Sequence, residues 1–145
     1  MAASNIYLNF NGNCEEAFNF YKSVFGGEFT YIGRFGDIPP SEKYKAPESD
    51  KNLIMHVGLP IGPTIIMGSD CGSEWSPKFK AGNNFSVAIT ADSREEADTL
   101  FAALSNGGQI SMPMETMFWG DYFGMLTDKF GINWMVSFNT LQSGN

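Results

Sequence analysis

The chain has 145 residues, with 16 acidic and nine basic side chains and a formal net charge of −7. A phosphate-binding surface needs clustered Lys and Arg. The basic residues here are scattered, which argues against nucleic acid and against an anionic membrane as partners. Charged residues make up 17% and aromatic residues 14%, against about 25% charged in an average soluble domain, so some aromatic surface is left over to line a pocket. One domain is expected, able to bury about two-thirds of the unfolded chain's surface without a metal or disulfide. No stretch approaches the roughly 18 apolar residues of a transmembrane helix. The opening MAASNIYLNF lacks the basic start and apolar run of a signal peptide. Cys14 and Cys71 show no CxxC spacing, so two reduced thiols in a cytoplasmic protein are expected.

In chain order, Ile6 to Phe10 reads as a strand. Asn13 and Glu16 form a capping-box pattern for a following helix. That helix buries Cys14, Ala17, Phe18, Tyr21, Val24 and Phe25 at helical spacing and stops at Gly26-Gly27. Phe29 to Phe35 is a second strand, and the polar, proline-bearing residues 36 to 50 form a loop. Leu53 to Leu59 and Thr64 to Met67 are strands, with Gly58, Pro60, Gly62 and Pro63 marking the turn. After a linker, Phe85 to Thr90 is a strand, and Ser93 and Glu96 cap a helix with the stripe Ala97, Leu100, Phe101 and Leu104, ended by Gly107-Gly108. Strands follow near Gln109–Met112, Asp121–Thr127 and Asn133–Phe138.

The pattern repeats internally. Glu15-Glu16-Ala17 returns as Glu95-Glu96-Ala97, and the two double glycines and the turn glycines Gly62 and Gly131 also correspond. Each half reads β-α-β-β-β. Module 1 (5–68) and module 2 (83–138), joined by a linker (69–82), are expected to give an α+β fold with helices on one face of curved, mixed or antiparallel sheets.

A paired βαβββ unit resembles the vicinal oxygen chelate fold of glyoxalase I, bleomycin-resistance proteins and extradiol dioxygenases. FNGNCEEAFNFYKSVFGGEF at 10–29 and METMFWGDYFGMLTDKFGINWMVSF at 114–138 are similar to the PhnB-like branch, whose members have carried the label of demethylubiquinone methyltransferase. The second segment is the more specific. The resemblance implies a homodimer and places the superfamily's metal-ligand positions at Ile6, Ile66, Ser86 and Met135. Those side chains do not suit a hard or borderline divalent ion, so no metal and no cofactor are expected. No dinucleotide fingerprint, Walker loop, nucleophile elbow or S-adenosylmethionine motif is visible.

The expected activity is metal-free binding of a small organic molecule in an apolar cleft. Phe10, His56, Ile66, Ser86, Phe118, Trp119, Tyr122 and Met135 are the substrate-binding candidates. Aromatic side chains offer large faces for a flat or apolar ligand. Strand alternation is taken to turn Ile6, Leu8, Phe10, Thr64 and Ile66 toward the cleft, and Trp134 and Phe138 toward the helix. His56, the single histidine, is a candidate general base, with a core or cavity-wall role as the alternative. Two other readings stay open: a metal-independent lyase or isomerase using His56 or a carboxylate, and a divergent metalloenzyme using His56 with Glu115 or Asp121. Asp128, before Lys129-Phe130-Gly131, is read as the residue that orders the final turn.

Overall fold

In the computed structural model, residues 1–39, 41 and 45–139 are described. The chain divides into two compact units, Met1–Lys80 and Ala81–Asn145. The first runs β1 (Ile6–Phe10), α1 (Cys14–Phe25), β2 (Tyr31–Arg34), β3 (Ile54–Ile61) and β4 (Thr64–Asp70). The second runs β5 (Val87–Thr90), α2 (Arg94–Ser105), β6 (Gln109–Thr116), β7 (Asp121–Thr127) and β8 (Asn133–Asn139). This is the tandem βαβββ order. Each unit holds an open four-stranded mixed sheet, ordered β1-β4-β3-β2 and β5-β8-β7-β6. The helix carries the chain across the sheet, and the three strands after it return as an antiparallel meander. The first and last strands therefore lie side by side and parallel.

Each helix buries its stripe on one sheet face. In α1, Cys14, Ala17, Phe18 and Tyr21 are fully buried, and in α2 Ala97, Phe101 and Leu104 are buried. Phe18 meets Phe10 and Tyr21 edge-on, with centroids 6.1 and 5.5 Å apart. Each such side chain contributes about 1.5–3 kcal/mol of burial. Gly68 makes room for this packing, since a Cβ there would lie 2.6 Å from the Phe18 ring.

Several boundaries move. Asn13 makes no side-chain cap. Asp70 instead reaches from β4 and accepts the N–H groups of Gly12 and Cys14, each at 2.9 Å. Ser93 caps as expected, accepting from the Glu96 amide at 3.0 Å, while the Glu96 carboxylate accepts from the Asp92 amide. β2 is shorter than expected, because Phe35–Asp37 forms a 3-10 turn in which Asp37 accepts the Arg34 amide. β4 runs on through Gly68, Ser69 and Asp70, which pair with Leu8, Asn9 and Phe10. β6 extends to Thr116, and β5 leaves out Phe85, which is exposed. Within the expected loop 36–50, residues 40 and 42–44 lie outside the described residues, and Glu48–Asp50 forms a second 3-10 turn.

The largest correction concerns which way the first module's strands face. Leu8, Phe10 and Ile66, expected in the cleft, are 2%, 2% and 3% exposed. They face α1 together with Val57 and Leu59, their neighbours through the pairs Val57↔Gly68 and Leu59↔Ile66. In the second module Trp134, Val136 and Phe138 are buried and Met135 turns the other way, as expected. The correspondence of Ile66 with Met135 therefore links opposite faces. It matches the helices and turns but slips by one residue in the strands, and one residue reverses every side chain.

Candidate functional site

The face of the first sheet turned away from α1 carries the side chains of opposite phase. One row crosses all four strands through the pairs Tyr7↔Met67, Met67↔Gly58 and Gly58↔Tyr31. The two tyrosines stand at its ends, 43% and 50% exposed. Half-buried His56 lies beside this row on β3 and pairs with Gly33 on β2. The Tyr7 hydroxyl lies 3.2 Å from His56 Nδ1. Ring centroids are 5.6 Å apart for Tyr7 and His56 and 5.9 Å for Tyr31 and His56. Gly33 permits the second contact, because a Cβ there would fall on the Tyr31 ring. The result is a strip of three rings with one imidazole at its centre, suited to stacking and hydrogen bonding.

On the second sheet, Met112, Met125, Met135 and Ala88 form one row on the face away from α2, and Glu115, Phe123, Ser137 and Thr90 form another. Thioether side chains are flexible and polarizable and adapt to varied apolar surfaces. Half-buried Ser86 sits immediately before β5. Phe118 and Trp119 lie at the tip of the β6–β7 hairpin, 98% and 51% exposed, with rings edge to face at 4.9 Å. The Trp119 indole N–H donates to Asp121 at 3.0 Å.

Tyr122 departs from its expected place. It pairs with Phe138 on the helix side, its hydroxyl donates to Asp98 on α2 at 2.5 Å, and the Arg94 guanidinium lies 3.9 Å over its ring. It anchors α2 to the sheet, and the hydrogen bond to Asp98 raises its phenol pKa above the ordinary 10.0. Phe10 and Ile66 are core residues. Of the eight candidates, His56, Met135 and Ser86 remain beside a helix-free face, and Phe118 and Trp119 are at the hairpin tip. Tyr7, Tyr31 and Met67 were missed. The available signal was the alternation in IYLNF, where Leu8 and Phe10 match the apolar phase of the helix-facing strands and leave Tyr7 outward.

The metal positions of the superfamily can be tested against the donor chemistry. Placed by face, the first-module positions become Tyr7 and Met67, beside Ser86 and Met135 in the second. A phenol, a hydroxyl and two thioethers do not fit a hard or borderline divalent ion. Among the described residues no three His, Cys, Asp or Glu side chains converge as a ligand set. His56 belongs to the first unit, and Glu115 and Asp121 to the second.

A separate open depression of about 460 Å³ in the first unit is lined by Asn11, Ser49, Asp50, Cys71, Ser73 and Ser76. Its polar groups bond to one another. Ser76 donates to Asn11 at 2.9 Å, and Ser73 donates to Asp50 through its amide and its hydroxyl, each at 3.0 Å. Burial pushes the Cys71 thiol pKa up from 9.0, with Asp70 and Asp50 adding to the rise.

The model of the 3-demethylubiquinone-9 3-methyltransferase family matches residues 3–137. The chain belongs to this family. It is the PhnB-like family, and its fold is the glyoxalase-like one. YjdN of Escherichia coli K12 is 33% identical over 138 residues, covering 90% of this chain and 91% of YjdN. The crystal structure of PA1353 from Pseudomonas aeruginosa is 37% identical, with a TM-score of 0.79 and coverage of 96% of this chain and 98% of that one. A PhnB protein from Bacillus cereus is 28% identical, with a TM-score of 0.74, covering 94% of this chain and 99% of that one. The FosX protein of Listeria monocytogenes, solved with Mn(II), shares the fold at 16% identity and a TM-score of 0.65. No helix among the described residues of this PhnB-like chain is long and apolar enough to cross a membrane.

Proposed function

We propose that this PhnB-like protein binds a small organic molecule, without a metal, on the helix-free faces of its sheets. The observation that carries this reading is the row Tyr7–Met67–Gly58–Tyr31 with His56 beside it. A core does not need two tyrosines at 43% and 50% exposure over a half-buried imidazole, whereas a flat apolar ligand does. The methionine row and Ser86 on the second sheet and the exposed Phe118 and Trp119 are further contact surfaces in the same proposal. The test is a thermal-shift screen of neutral aromatic compounds against the wild type, Tyr31→Ala and Met125→Ala. Hits that stabilise the wild type and lose that effect in Tyr31→Ala support the reading. Hits indifferent to both substitutions overturn it.

A second reading, a metal-independent enzyme with His56 as general base, is favoured by one observation. In this reading the Tyr7 hydroxyl, 3.2 Å from Nδ1, accepts from Nδ1–H, which orients the imidazole and leaves Nε2 free to take a proton. Turnover of a bound compound that is lost in His56→Gln while binding persists distinguishes it. A cytoplasmic homodimer belongs to the same proposal. Light scattering at twice the 16.0 kDa chain mass supports pairing, and the single-chain mass removes it.

A further inference from the structure

The geometry points to a specific ligand class for the first sheet: a planar, non-anionic, two-ring aromatic molecule carrying a carbonyl or similar hydrogen-bond acceptor, received by His56 Nε2–H. This rests on the binding reading above and names what that face selects.

The acceptor requirement follows from the tautomer. A phenol is the better donor and an imidazole sp2 nitrogen the better acceptor, so the Tyr7 hydroxyl donates to His56 Nδ1 across their 3.2 Å contact. The hydrogen bond at one ring nitrogen sets the state of the other, so the ring proton is on Nε2. Among the described residues no hydrogen bond engages Nε2. Two donors among the described residues are left on the strip, the Tyr31 hydroxyl at one end and Nε2–H at the centre, and a ligand seated over the imidazole must offer Nε2–H an acceptor in place of water.

The planar requirement follows from the neighbours. Tyr7 and Tyr31 lie 5.6 and 5.9 Å from the imidazole, inclined to it by only 31° and 37°. The three rings thus form a shallow aromatic strip, not an edge-to-face cluster. The imidazole sits between the two tyrosine rings, whose centroids are thus at most about 11.5 Å apart, so a two-ring ligand lies over the strip and not between the tyrosines. Gly58 and Met67 lie between the tyrosines in that row. The net charge of −7 disfavours an anionic ligand.

Three probes separate these claims: 2-acetylnaphthalene, 2-ethylnaphthalene, which has the same shape without the acceptor, and cyclohexyl methyl ketone, which has the acceptor without the rings. Each is titrated into ¹⁵N-labelled protein and followed through the backbone amides and the His56 ring nitrogens. Acetylnaphthalene is expected to bind about tenfold more tightly than ethylnaphthalene and to shift Nε2. His56→Phe keeps a ring in place and is expected to erase the difference. Tyr7→Phe keeps the wall, frees the tautomer and reduces the difference. Amide spectra verify that both variants fold. Equal binding of the two naphthalenes, or a ring proton found on Nδ1, overturns the acceptor claim and leaves the binding reading standing. A ketone without rings binding as well as acetylnaphthalene overturns the aromatic claim. If none of the three perturbs the face, the binding reading falls as well.

Discussion

The carboxylate of Asp70, the last residue of β4, accepts the backbone N–H of Cys14, the first residue of α1, at 2.9 Å. The same side chain accepts from Gly12 and Ile54, each also at 2.9 Å, and is only 4% exposed. A negative group at a helix N-terminus is favourable, and a carboxylate accepting several amides is strongly held. Asp70→Ala leaves three sheltered N–H groups without their acceptor. It should destabilise the first unit by about 3 kcal/mol or more, measured as a lower urea midpoint. Asp70→Asn turns an NH₂ group on some of those amides and should recover little. Full stability in Asp70→Ala would show that the Asn13 side chain can take over the cap.

Asp128 does the corresponding work in the second unit. It accepts from the amides of Phe130 at 2.8 Å and Ile132 at 3.0 Å, and from the Trp134 indole at 2.9 Å. The aspartate expected to order the final turn therefore also satisfies the buried polar atom of the core tryptophan. Asp128→Ala should cost about 2–4 kcal/mol by leaving these donors unpaired. Trp134 fluorescence should change with it, since the indole N–H loses its partner. Asp128→Ala with unaltered fluorescence and stability would contradict this role.

The two thiols should differ in reactivity. Cys14 is fully buried, and burial, with Asp70 and Glu15 adding to it, pushes its thiol pKa far above the ordinary 9.0. Thiolate is the reactive form. A disulfide reagent at neutral pH should label Cys71 slowly and leave Cys14 untouched until the chain unfolds. Rapid labelling of two thiols in the native protein would contradict that.

Arg34 binds the Glu15 carboxylate through both guanidinium ends, tying β2 to α1. This hydrogen bond is the main cause lowering the Glu15 pKa from 4.5. A lowered carboxylate pKa stabilises the fold above the unfolded-state value, and that contribution is lost as pH falls from 4.5 through the folded-state value. Both side chains are about 35–45% exposed, so water screens the pair, and it is worth less than about 1 kcal/mol. Glu15→Gln should lower the urea midpoint slightly at pH 7 and progressively less as pH falls below 4.5.

Tyr122→Phe removes the hydroxyl that Asp98 accepts. A loss of about 0.5–1.5 kcal/mol is expected at pH 7. The phenol pKa is raised in the folded state, so the hydrogen bond's contribution is present at neutral pH and fades as pH rises past 10.0 toward the folded value. Absorbance titration of the tyrosines should show a late-titrating contribution that Tyr122→Phe takes away. Because the side chain faces α2, this substitution should leave ligand affinity on the helix-free faces unchanged, which thermal-shift titration can measure.

The sequence by itself determined the repeat and most elements, because those depend on neighbours along the chain. Ala17, Phe18 and Tyr21 recur at helical spacing. Ser93 can cap its own helix, and Gly26, Gly27 and Gly107 adopt positive φ where helices stop. It also identified Trp134 as core and His56 as the residue to watch. Tertiary structure decided strand phase and long-range capping. The alternation in IYLNF puts Leu8 and Phe10 in one phase and Tyr7 in the other, but only packing on α1 decides which phase faces the helix. Ser69 and Asp70 resemble turn residues until pairing with Asn9 and Phe10 makes them strand. The ring strip depends on partners 25 and 49 residues from His56 in sequence. The register of four strands brings them together, and no local pattern encodes that register.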